Sequence, residues 1–131
     1  MKSVRLIDFN TLSESFREAV PEIAFAGVYG SSSDGIINPG SDIDIAVYLK
    51  EKNYSVVSRI LEVLDSQYPG IKTDLTLLND AGIILRFEVL KGKFFLINDW
   101  DLYAWFYSLT CREYEDEIWW RDQQLAYRGL L

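Results

Sequence analysis

Two carboxylates stand where an apolar strand tolerates them least. The run Ile43-Asp44-Ile45-Ala46-Val47-Tyr48-Leu49 is uncharged except for Asp44, and Asp42 comes two residues earlier. Read as a strand over about 42–49, it points Asp42 and Asp44 to one face, since side chains at i and i+2 project the same way. Their Cα atoms are then roughly 6–7 Å apart. Two like charges held together repel, and a divalent cation between them relieves that repulsion. An earlier apolar run, Ile23-Ala24-Phe25-Ala26-Gly27-Val28-Tyr29, reads as a second buried strand that ends on Gly30-Ser31. Ten residues separate Ser31 from Asp42, so the chain must bring a glycine turn and a carboxylate pair to neighbouring strand ends.

The remaining pattern predicts helices around such a sheet. Thr11-Leu12-Ser13-Glu14 has the form of a capping box and predicts a helix over about 12–20, closed by Pro21. Residues 30–41 read as a loop of serine, glycine and proline with room for one helical turn at 31–34. Val56, Val57, Ile60, Leu61 and Leu64 recur at helical spacing and predict a helix over 54–67, stopped at Tyr68-Pro69-Gly70. Ile71–Leu78 reads as a third strand. Asn79 is placed to cap a helix carrying Ile83, Ile84, Phe87 and Leu90, with Gly92 at its C′ position. A short strand at 94–97 and a long helix from Asp99 to about 127 complete an α-β-β-α-β-α-β-α order. The expectation is one domain over 1–131, an α+β fold with a small mixed sheet flanked by helices.

Composition narrows the chemistry. With 49% hydrophobic and 15% aromatic residues, a packed core is expected. The absence of histidine removes imidazole catalysis and the usual zinc sites. A formal charge of −7 argues against direct binding to a nucleic-acid backbone. No apolar run approaches the ~20 residues of a membrane helix, and the first six residues lack a signal-peptide core. The single cysteine, Cys111, fits a reducing, cytoplasmic setting.

A third carboxylate, Asp74, lies on the third strand. Three aspartates on adjacent strands make an oxygen-rich pocket suited to Mg²⁺ or Mn²⁺, the hard cations that accompany phosphates. Two such ions about 3.5–4 Å apart activate a nucleophile and stabilise a leaving oxygen. Gly30 allows close backbone approach to a phosphate, and the Ser31 hydroxyl adds a donor. Each piece alone is common, and Asp42 or Asp74 by itself could be a turn residue. The ordered set of strand, Gly-Ser, Asp-X-Asp on a strand, helix and strand with Asp is much more specific.

Gly30-Ser31, ten residues, Asp42-Ile43-Asp44 and the later Asp74 together resemble the polymerase-β-type nucleotidyltransferase superfamily. Within it the chain is similar to the minimal nucleotidyltransferases (MNT), many of which are antitoxins paired with a helical HEPN toxin. The resemblance covers roughly 20–98. It implies that Gly30 and Ser31 hold the triphosphate of ATP. Asp42 and Asp44 would bind both of two Mg²⁺ ions, and Asp74 would bind one and help deprotonate the attacking hydroxyl. The implied reaction is transfer of AMP to a tyrosine of the toxin. Transfer to a small hydroxylated molecule, and a binding module that neutralises its partner by contact, are the other readings. The segment Ser32-Ser33-Asp34-Gly35 departs from the family by placing an acid where a basic residue is common. Lys72 and Arg86 are the nearby candidates for the missing cation. Self-association of the chain is left open.

Residues 99–127 hold all four tryptophans. Leu102, Trp105, Phe106 and Leu109 are spaced to cover the sheet. Trp119 and Trp120 are adjacent and cannot share one narrow stripe, so at least one ring is expected at a partner surface, beside the acidic run Glu113–Glu117.

Overall fold

The computed structural model describes residues 5–130; Met1–Val4 and Leu131, part of the expected domain, lie outside the described residues. The elements are β1 (Arg5–Leu6), α1 (Phe9–Ala19), β2 (Ile23–Tyr29), a 3₁₀ turn (Gly30–Ser32), β3 (Ile36–Ile37), β4 (Ile43–Leu49), α2 (Tyr54–Gln67), β5 (Thr73–Leu77), α3 (Ile83–Leu90), β6 (Lys93–Ile97) and α4 (Trp100–Tyr127). Four strands form a mixed sheet in the order β5-β4-β2-β6. β4 and β5 run parallel, connected through α2, while β2 pairs antiparallel with both β4 and β6. β1 and β3 form a separate two-stranded ribbon that the sequence pattern did not indicate, each strand being only two residues long.

Period-two alternation divides the core. Ile43, Ile45, Val47 and Leu49 join Leu12 and Phe16 of α1 and Val56, Ile60 and Leu64 of α2 in one buried cluster. Ala46 belongs to a second cluster with Phe25, Val89 of α3 and Phe106 of α4, against which Tyr29 and Tyr48 pack. The sheet is therefore sandwiched between helix pairs. Asp44 shares the phase of Ala46, so it projects on the α3–α4 side.

Local chemistry shifted several expected boundaries. α1 begins at Phe9 because Asp8 is its cap: the Asp8 carboxylate accepts the Thr11 N–H at 3.1 Å and the Thr11 hydroxyl at 2.9 Å. Asn79 does not cap α3. Its side chain accepts the Leu49 N–H and donates to the Leu49 carbonyl, both at 2.9 Å, which pins the end of β4, and Gly82 opens α3 instead. Gly92 follows the Lys91 cap, yet it is not among the glycines with positive φ. Glycine is required there by contact: a β-carbon would run into the Val28 carbonyl and lie 2.9 Å from Tyr29 Cα.

α4 also departs from its expected facing. Its buried positions are Phe106 and Thr110, flanked by half-buried Leu102, Tyr103 and Leu109, while Trp105 is 51% exposed. Position 105 lies one residue, or about 100°, off the 102-106-109 stripe. Among the described residues, no helix is long and apolar enough to cross a membrane.

Candidate active site

The candidate site forms where the end of β2 meets the beginnings of β4 and β5. Antiparallel register places Tyr29 opposite Asp44, and parallel register places Asp44 opposite Asp74. Directly opposed residues of neighbouring strands share a face, so Tyr29, Asp44 and Asp74 stand in one row across the sheet. The Tyr29 hydroxyl reaches across β4 to the Thr76 hydroxyl at 2.9 Å, passing over the small Ala46 that lies between Gly27 and Thr76 in the register. That bond braces the floor beside the carboxylates.

Gly30 continues from Tyr29 with φ of 72°, a left-handed conformation that favours glycine. A β-carbon at this position would lie 2.5 Å from Asp44 Oδ2, so the turn also depends on glycine to leave the carboxylate its place. Ser31 is exposed at the outside of the turn, within reach of a ligand. Ser32 is buried, and its hydroxyl donates to the Asp42 carbonyl at 3.1 Å. The two halves of the motif are thus tied together by Ser32, which the sequence pattern alone places in the loop. Its only signal was its place immediately after the Gly-Ser pair.

Asp42 precedes β4, which begins at Ile43, and its carboxylate is half-exposed. The Lys72 ammonium stands 3.7 Å from Asp42 Oδ2 and 3.9 Å from Asp74 Oδ1. The structure therefore brings Asp44 and Asp74 side by side and links Asp42 to Asp74 through one cation. Among the described residues, no group of three Cys, Asp or Glu side chains already stands in a metal-holding arrangement, these three aspartates included. Lys72, one of the two candidate cations, lies two residues before Asp74, the same spacing that separates Asp42 from Asp44.

Electrostatics single out Asp44. Partial burial, then the charges of Asp74 and Asp42, push its carboxyl above the usual range, and Lys72 offsets part of this. Such a group gains from a nearby divalent cation, which restores the ionised form. By donor chemistry the three carboxylates fit Mg²⁺ or Mn²⁺. Arg86, the other candidate cation, does not serve this site. It pairs with Glu113 of α4 and is largely buried. Asp34 has a local role as well, since its carboxylate accepts the Ile36 N–H at 3.0 Å and shapes the turn into β3.

None of the curated proteins matches the chain in sequence. Among solved structures, the fold is similar to a mutant MntA–HpeT toxin–antitoxin, with 21% identity and a TM-score of 0.73 over 95% of this chain and 100% of the other. A toxin–antitoxin structure with AMP-PNP gives 22% identity and 0.71, over 95% and 100%. A tri-AMPylated Shewanella oneidensis HEPN toxin in complex with MNT antitoxin gives 19% and 0.64, over 94% and 96%. Identities at this level show the shared fold. The family described as Polymerase beta, Nucleotidyltransferase matches residues 10–101, a span that holds the turn and all three aspartates. The chain belongs to the polymerase-β nucleotidyltransferase family.

Proposed function

We propose that this chain is an MNT antitoxin that transfers AMP from ATP to a tyrosine hydroxyl of a HEPN-type toxin. The observation that carries the reading is the row Asp44–Asp74 beside the Gly30 turn, with Asp42 joined to it through Lys72. The similar structures add support, because they include a HEPN toxin that is AMPylated and in complex with an MNT antitoxin.

The residues divide the work. Gly30 permits close approach of the triphosphate, and Ser31 offers it a hydroxyl. Asp42, Asp44 and Asp74 would hold Mg²⁺, at two positions in this reading. When bound, the metal supplies positive charge to the phosphate oxygens and acidifies the attacking hydroxyl. Asp74, the more exposed neighbour of Asp44, takes the tyrosine proton. The tyrosine oxygen bonds to the α-phosphorus as the bond from that phosphorus to the α–β bridging oxygen breaks. Pyrophosphate leaves with that electron pair.

The test combines the chain with a HEPN-type toxin, ATP and Mg²⁺, and reads the intact mass of each protein. The expected result is AMP mass on the toxin, lost when its acceptor tyrosine is replaced by phenylalanine. No added mass, with the toxin still neutralised, would move the assignment to the binding module. Transfer only to small hydroxylated molecules would move it to a small-molecule enzyme.

A further inference from the structure

We infer that the outer part of α4, residues 115–127, is a docking arm for a basic protein surface. The occupant is the partner that receives the nucleotide, so the inference rests on the proposed function. α4 has 28 residues and is about 42 Å long. Its grip on the domain includes an ion pair between Glu113 and Arg86 and a parallel stack of Tyr114 on Phe87, ring centres 3.6 Å apart. From Glu115 to Tyr127 every residue is exposed except Ile118 and Leu125, which are half-buried. That leaves roughly 20 Å of helix lying largely against solvent. A free helix of this length is marginal in water, so a covering surface would stabilise it.

The arm carries both rings that the sequence left undecided. Trp119 and Trp120 are 55% and 61% exposed and meet edge to face at 5.3 Å. Neither ring is buried in the core. Trp120, Gln123, Gln124, Tyr127 and Arg128 outline a hollow of about 420 Å³ on this helix, open to an incoming side chain. Large amphipathic rings of this kind are the usual anchors of protein interfaces.

Charge chooses the occupant. Glu115, Asp116, Glu117 and Asp122 lie on the arm against Arg121, with Arg128 at the edge of the hollow and Glu113 already paired with Arg86. A second copy would bring a like-charged arm and a chain of formal charge −7. A basic partner surface meets the same arm with attraction and accelerated association.

The experiment uses the full chain and the HEPN-type toxin that it AMPylates in the proposed reaction. Calorimetry without nucleotide reads affinity, thermal unfolding of the chain alone reads folding, and intact mass with ATP and Mg²⁺ reads transfer. Trp119→Ala and Trp120→Ala are made separately. Alanine favours an exposed helix, so folding should hold. At least one of the two should weaken binding by about thirtyfold or more. Glu117→Gln should slow association and flatten its salt dependence. Unchanged affinity per folded molecule in both tryptophan variants overturns the arm, and transfer by the wild type then leaves the function intact. Neither binding nor transfer by the wild type overturns the function and the arm together. A wild-type dimer that becomes monomeric in these variants assigns the arm to a second copy and overturns the proposal.

Discussion

Gly30 is where backbone conformation and the carboxylate site meet, and Gly30→Ala tests that junction. The substitution has two consequences that a control separates. An L-residue in the left-handed region is disfavoured by about 1–2 kcal/mol. With about 2.1 cal/mol/K of unfolding entropy per residue, that is a fall in Tm of about 4–7 °C for a chain of this length. Gly70, in the turn before β5, has φ of 78° and nothing within 4 Å of a β-carbon, so Gly70→Ala carries the same strain alone. At Gly30 the new methyl would also sit 2.5 Å from Asp44 Oδ2, and the carboxylate must swing away by roughly 1 Å to reach an ordinary contact. Displacement of that size in a catalytic group lowers turnover by about 10²-fold. Melting should therefore fall similarly in both variants, while AMP transfer to the HEPN-type protein and Mn²⁺ affinity should collapse only in Gly30→Ala. If Gly30→Ala keeps Mn²⁺ affinity and transfer within about fivefold of Gly70→Ala, the turn does not position Asp44 and the site argument fails.

Other substitutions follow from the same geometry. Asp42→Asn combined with Asp44→Asn should fold as the wild type does by thermal unfolding but lose transfer from labelled ATP, and full transfer by this variant would refute the assigned roles. Asp44 has its carboxyl raised above its ordinary value near 3.8, so the folded state keeps a proton that the unfolded chain releases. Without divalent cations, stability should fall as pH rises from about 3.8 through the raised value; Asp44→Asn should be the more stable protein at pH 7 and lose that advantage below about pH 4, as melting curves in chelator would record. Thr110, fully buried in α4, has a hydroxyl with no partner among the described residues, so Thr110→Val should add about 1 kcal/mol, or about 3–4 °C in Tm; a drop would mean the hydroxyl is satisfied after all.

What could be read in advance followed the strength of local signals. β2, β4 and α2 were legible because long apolar runs and a complete helical stripe leave little choice of structure, and the start of α4 was marked by its Asp99 cap. The α1 start was misplaced because two capping signals compete within four residues, and Asp8 reaches both the N–H and hydroxyl of Thr11. Asn79 looked like a cap by type and position, but its amide matches the free N–H and C=O of Leu49, a long-range pairing that no local rule reveals. Trp105 shares its expected stripe with Leu102, Phe106 and Leu109; Phe106 is buried as expected, but with Thr110 it sets a phase that leaves Trp105 exposed.

The site divides along the same line. The placement of Gly30, Asp42, Asp44 and Asp74 at neighbouring strand ends was legible from identity and order, because period two and strand ends determine which side chains align. The balance of charge around them was not legible, because it depends on what lies across strands. Asp34 looked like a lost phosphate contact; its carboxylate instead closes a turn on Ile36 N–H, a reason for an acid there that is independent of any nucleotide. Arg86 looked available, but Glu113, 27 residues later in sequence, takes it. Among the described residues, Lys72 is the cation that stands among the carboxylates, reaching Asp42 and Asp74 from just before β5. An exposed ammonium near 4 Å from each contributes little to stability, on the order of 0–1 kcal/mol. Its effect is to lower the repulsion that Asp44 would otherwise bear from both neighbours, which lets one sheet edge carry three acids in so small a protein.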